Sequence, residues 1–113
     1  MKTMDLHIHS NFSNDGQYTP TELISMGKDA GLTVMALTDH DSVRGVQEMI
    51  DAGEKAGISV VPADEIDCQH NGVNLHIVGY NIDYTDKRFI ELEDSIMDKE
   101  KSLTQKRIKV TEE

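Results

Sequence analysis

Two histidines one residue apart, His7 and His9, open this chain inside Asp5-Leu6-His7-Ile8-His9-Ser10. An extended strand points residues i and i+2 to the same face, so both imidazoles can meet one metal ion. A bare His-x-His pair as often fills ordinary hydrogen-bonding positions. Here, however, further donors recur at later strand ends: Asp15 in the following loop, His40 within Thr38-Asp39-His40-Asp41, then Glu65 and His76. His7, His9, Asp15, His40, Glu65 and His76 are the candidate ligands, and they include four of the five histidines. Imidazole with carboxylate suits zinc, manganese or iron, and several carboxylates allow a bridged cluster of two or more ions. Such a cluster activates water and binds an anionic substrate in one place.

The elements that must position these residues follow from local signals. Met4, Leu6 and Ile8 alternate as in a short buried strand, which sets the imidazole pair at its carboxyl end before the polar run 11–16. Thr19-Pro20-Thr21-Glu22 carries a capping threonine, a proline suited to the first helical position and a capping-box glutamate, so a helix starts near residue 20; Gly31 is its stop. Thr33 to Leu37 reads as a strand. After Ser42, the apolar spacing Val43, Val46, Met49, Ile50 reads as a second helix closed by Gly57, with Asp41 as its cap, and Ile58 to Val61 as a third strand. Strand, helix, strand, helix, strand is the pattern of a parallel α/β sheet or barrel. Both prolines are placed at element edges.

Asn71-Gly72 between two β-prone runs is a two-residue hairpin turn. Counting outward sets His70 opposite Val73, Cys68 opposite Leu75, Asp67 opposite His76 and Glu65 opposite Val78. Glu65, Asp67 and His76 then share a face, while His70 points away and is read as a turn residue. From Thr85 the chain reads as helical, with an apolar stripe at Phe89, Ile96, Leu103 and Val110. Asp39 is read as a residue that orients His40. Arg44 has a solvated helix position as its default role and a phosphate contact as the alternative; Cys68 is read as packing.

The 113 residues suffice for one modest core, and with aromatics at 4% and no tryptophan that core rests on aliphatic side chains. The net charge of −10 is concentrated early: residues 1–85 hold 13 acids against 4 bases, and 86–113 hold 8 against 7. An acidic surface argues against a long nucleic acid or an anionic membrane as partner. The single cysteine excludes an internal disulfide and fits a reducing, cytoplasmic setting. The sequence has no apolar run long enough to be a membrane span, and its N-terminus has no leader-like pattern.

These motifs together resemble the PHP (polymerase and histidinol phosphatase) domain of metal-dependent phosphoesterases. His7-Ile8-His9-Ser10 with Asp15-Gly16 resembles the family's first motif, and Thr38-Asp39-His40-Asp41 its second, whose histidine is a ligand. Glu65-Ile66 and His76-Ile77-Val78-Gly79-Tyr80 are similar to the glutamate and histidine that follow. The resemblance spans residues 4 to 80. It implies the N-terminal portion of a distorted β/α barrel, two or three divalent ions (zinc, manganese or iron) and hydrolysis of small phosphorylated metabolites or nucleotides by a metal-activated water. It also implies a division into residues 1–85, part of the catalytic domain, and 86–113, the start of a helical insertion that covers the substrate. One departure is Val61-Pro62-Ala63-Asp64, where the family usually has glycine close before the glutamate. Another is that the family's later ligands have no counterpart before Glu113. The expectation is therefore a piece of a longer enzyme, less active than the longer form, whose C-terminal helix covers the open sheet in cis or through a homodimer. The alternatives are an exonuclease-like phosphodiesterase and a catalytically inactive metal-binding regulatory module.

Overall fold

The computed structural model describes residues 3–13 and 16–98. In chain order the elements are β1 (Thr3–Ile8), α1 (Pro20–Asp29), β2 (Leu32–Leu37), α2 (Val46–Ala56), β3 (Ser59–His70) and β4 (Val73–Tyr80), followed by a helical segment over 87–98 that we label α3. The strands form one sheet in the order β1-β2-β3-β4, parallel through β3 and antiparallel at β4. The expected α/β class is present, with two β/α steps leading into the third strand. Leu103 and Val110 of the expected apolar stripe lie outside the described residues.

α1 begins as its sequence dictates. Thr19 accepts from the Glu22 amide, the Glu22 carboxylate accepts from the Thr19 amide, and Pro20 takes the first helical position. The helix ends at Asp29, and Gly31 beyond it adopts φ +81°. α2 starts later than its apolar spacing suggests, at Val46 with Gly45 as an N-cap that makes no side-chain bond. The Ser42 hydroxyl instead accepts from the Arg44 amide in the preceding turn. Leu23 and Ile24 of α1, Met35 and Leu37 of β2, and Met49 of α2 with Ile58 make the buried core. β1 differs from expectation: it is an edge strand and Met4 is 55% exposed.

β3 is the element that departs most from its sequence reading. It does not stop at Val61 but runs on through Pro62 to His70, pairing with β2 over Ser59–Pro62 and with β4 over Ala63–His70. Pro62, expected at an element edge, marks the point inside β3 where the partner changes. A residue without an amide hydrogen is tolerated where no ladder bond is required of it, and its carbonyl still accepts from Ile82. The hairpin register agrees with the sequence count in all four pairs: His70 with Val73, Cys68 with Leu75, Asp67 with His76, and Glu65 with Val78. The sheet curls enough for the Tyr80 hydroxyl, at the end of β4, to donate to the Leu6 carbonyl of β1 at 2.6 Å.

The turn depends on backbone that only a few residues adopt, with Asn71 at φ +51° and Gly72 at φ +79°. Replacing Gly72 by alanine keeps the fold but costs about 1–2 kcal/mol, the usual penalty for an L-residue in left-handed backbone. Urea unfolding of the Gly72→Ala variant checks this, and a change below a few tenths of a kcal/mol would show that the turn is not what fixes the register.

Candidate metal centre

The site lies at the carboxyl ends of β1 and β2 and against the middle of β3, which continues past it to His70. β1 delivers His7 in its last turn of pleat and His9 just beyond it. β2 ends at Leu37, and the following Thr38 binds back to β1 through its amide (2.7 Å) and hydroxyl (3.2 Å), both donating to the Ile8 carbonyl. Asp39 comes next, 1% exposed. Its carboxylate accepts from the Ser10 amide (2.6 Å), the Ser10 hydroxyl (2.6 Å) and the Ser13 hydroxyl (2.9 Å), and the Ser13 oxygen in turn accepts from the His40 amide (2.8 Å). Asp39 therefore does not touch the His40 ring. It acts on that residue through the loop it anchors.

The same loop needs a glycine. A Cβ on Gly16 would lie 1.8 Å from the Ser10 carbonyl oxygen, so only a hydrogen fits there. Asp15, the expected loop ligand beside it, lies outside the described residues. Asp41, expected as a helix cap, is instead a connector to β3. At φ +52° its amide donates to the Glu65 carbonyl (2.8 Å), and its carboxylate accepts from the Asp67 amide (3.1 Å). The short pairing of His40 with Glu65 aligns the β2 and β3 ends.

Five of the six candidate ligands are described, and they converge. Glu65 is 4% exposed and reaches two ways: Oε1 lies 2.9 Å from His7 Nε2, and Oε2 lies 2.6 Å from His40 Nδ1 and 3.7 Å from His76 Nδ1. Two donor groups result, His7, His9 and Glu65 in one, and His40, Glu65, Asp67 and His76 in the other. The rings form a continuous array, with His9 stacked on His40 at 4.5 Å and 5° and meeting His7 edge-on at 5.0 Å. Asp67 was not among the expected ligands. The signal for it was the hairpin parity that places it on the face of Glu65 and His76. His70 stands at the turn beside Asn71, outside both groups.

This donor set fits a divalent ion. His9 Nδ1 is buried and has no hydrogen-bond partner among the described residues, which is costly for a nitrogen unless a cation or donor meets it. The surroundings are acidic as well. Burial, reinforced by the neighbouring Asp41 carboxylate, pushes the Asp64 carboxyl up to about 7. Beside the cluster lies a groove of about 560 Å³, lined by Phe12, His40, Arg44, Asp67, Ile96 and Met97 among others. Arg44 is not simply solvated. It pairs with Glu93 (3.2 Å) and Asp94 (3.1 Å) of α3. Cys68 is half-buried and free.

Parallel strands joined by helices, with imidazoles and carboxylates gathered at their carboxyl ends, define an α/β barrel-type protein whose site lies on the strand-end rim. The chain belongs to the PHP domain family, whose model matches residues 5–109. It is similar to a 5'-3' exoribonuclease of Haemophilus influenzae, 38% identical over 94% of this chain and 37% of the relative. It is also similar to a 3',5'-nucleoside bisphosphate phosphatase of Chromobacterium violaceum, 39% identical over 74% of this chain and 29% of that protein. Among solved structures, an amidohydrolase from Chromobacterium violaceum with bound sulfate superposes with a TM-score of 0.78 at 35% identity, covering 84% of this chain and 33% of that one. A Bifidobacterium adolescentis protein assigned as a metal-dependent phosphoesterase superposes at 0.75 and 28% identity, over 83% of this chain and 32% of its own. The chain thus spans about a third of the length of each of these four proteins.

The Asp39 hub makes a direct prediction. In Asp39→Ala three buried or half-buried donors lose their acceptor, so unfolding in urea is expected at about 3–5 kcal/mol less stability. A loss under about 1 kcal/mol, the worth of one ordinary hydrogen bond, would mean that the serines find other partners and that Asp39 is not the anchor.

Proposed function

We propose that this protein is a metal-dependent phosphoesterase acting on small phosphorylated metabolites or nucleotides. His7, His9, Asp15, His40, Glu65 and His76 are the proposed ligands of two or three divalent ions, zinc, manganese or iron. The observation that carries this reading is the Glu65 carboxylate, buried and in contact with imidazoles of both donor groups, as a carboxylate shared between neighbouring cations must be. The names of the relatives, a nucleoside bisphosphate phosphatase and a phosphoribosyl cyclic phosphate diphosphodiesterase of Eggerthella lenta among them, support the substrate class.

Ions held there would supply Lewis-acid polarisation of a phosphoryl oxygen and acidify a water for attack on phosphorus. The chain's own residues do the positioning. Asp39, Ser10 and Ser13 fix the loop between the imidazole pair and α1, and Thr38 locks the β2 end to β1, so the donors are held before substrate arrives. The groove beside His40 and Asp67 takes the organic part of the ester, with Phe12, Ile96 and Met97 as its apolar wall. We assign residues 1–85 to the catalytic domain and 86–113 to a cover over the substrate, which Ile96 and Met97 begin. A homodimer through the C-terminal helix is part of the same proposal. Among the described residues no helix is long and apolar enough to cross a membrane; the cytoplasmic setting rests on the single cysteine.

A second reading, a 5'-3' exonuclease, is favoured by the Haemophilus influenzae relative, whose match covers 94% of this chain. One experiment separates the two. Protein loaded with zinc, manganese or iron is expected to hold one or more ions by elemental analysis; less than about a tenth of an equivalent removes the reading. Phosphate release is then compared across nucleoside mono- and bisphosphates, sugar phosphates and a 5'-labelled oligoribonucleotide. Small esters are expected to turn over, with His9→Ala and Glu65→Gln slower by at least about tenfold. Stepwise shortening of the oligoribonucleotide without release from small esters would establish the exonuclease instead.

A further inference from the structure

The carboxylate of Asp67 stands between two imidazoles that Glu65 also approaches. Asp67 Oδ1 lies 2.5 Å from His76 Nδ1, and Asp67 Oδ2 lies 3.0 Å from His40 Nδ1. Glu65 Oε2 is 2.6 Å from the same His40 nitrogen and 3.7 Å from the same His76 nitrogen. A carboxylate that only orients a metal-binding histidine grips the ring nitrogen facing away from the metal. Here both carboxylates crowd the same nitrogen of His40, and on His76 Asp67 meets Nδ1 while Glu65 stands beyond hydrogen-bond reach of it. One N–H points at one acceptor, so hydrogen bonding alone leaves a second carboxylate competing for His40. All four donors lie within 4.8 Å of one another, as the ligands of a single ion do.

The backbone places Asp67 for this. Its amide donates to Asp41, whose own amide holds the Glu65 carbonyl, so residues 65 and 67 are fixed as a pair on one face of β3. Across the hairpin Asp67 is directly opposite His76. The side chain is about one-third exposed, open to an ion arriving from the groove it lines.

We propose that Asp67 is itself a metal ligand, completing with His40, Glu65 and His76 a two-imidazole, two-carboxylate set for a divalent cation such as zinc or manganese. The proposal rests on the metal-dependent reading above and adds a ligand to it. Two carboxylates offset the full charge of a divalent ion, so the position is neutral and holds its cation in the absence of substrate. Four donors also select for metals content with tetrahedral coordination over magnesium, which keeps most of its water.

The test uses zinc titration against a chromophoric chelator and the visible spectrum of cobalt-loaded protein, neither of which reads activity. Asp67→Asn is expected to lose one equivalent of tightly bound zinc or weaken it by at least about tenfold, and to shift the cobalt bands. Asp67→Cys is expected to gain an intense sulfur-to-cobalt charge-transfer band that the parent protein, with Cys68 on the other face, does not show. Folding of both variants is checked by circular dichroism. Zinc stoichiometry and affinity equal to the parent in Asp67→Asn, with no new band in Asp67→Cys, would overturn the assignment while leaving the metal-dependent reading in place. A parent protein that binds neither metal, or binds equally well as Glu65→Gln, overturns both.

Discussion

The buried carboxylate of Asp39 is the constraint on which the rest of the site hangs. A charged group that is 1% exposed persists only if its oxygens are matched, and here three donors from the loop after β1 match them. The matching works in both directions: the loop residues lose an acceptor without Asp39, and Asp39 is an uncompensated buried charge without the loop. The result is a covalently distant clasp between the ends of β1 and β2, with Ser13 extending it to the backbone of His40. Imidazoles from two strands thereby stack at 4.5 Å without any direct bond between them.

β3 supplies the second constraint. By changing partner at Pro62, one strand belongs first to the parallel sheet and then to the hairpin, and Glu65 falls shortly after the change. The carboxylate that both donor groups share therefore sits where the curled sheet turns toward β1. Asp41 makes this junction firm, since its left-handed backbone lets the amide and the side chain bind β3 at two points.

Much of this was legible in the sequence, and the parts that were share a property: they depend on neighbours along the chain. The Thr19 capping box, the stop at Gly31 and the Asn71-Gly72 register are local, and each took the expected form. The convergence of His7, His9, His40, Glu65 and His76 was legible because motif spacing placed the first three near strand ends and hairpin parity placed Glu65 and His76 on one face. What failed to show was set by tertiary partners. Nothing near Pro62 says that a strand may continue through it once its ladder partner changes. Asp41 read as a helix cap because caps are the common use of that residue type, whereas β3 claims both its amide and its carboxylate. Asp67 was placed on the correct face by parity but carried no motif to mark it, and Arg44 found its partners 49 and 50 residues away in α3.

The donors are divided between two parts of one sheet. His7, His9 and His40 ride on the clasped ends of β1 and β2, while Glu65, Asp67 and His76 ride together on a hairpin whose tip is largely solvent-exposed. A cation held by both parts would therefore be a strut as well as a reactant, and its binding free energy would enter the ordering of the hairpin. By linkage, each tenfold rise in free cation above the dissociation constant adds about 1.4 kcal/mol to that ordering. Metal availability would then set how firmly the hairpin is held to the strand ends, before any ester is bound.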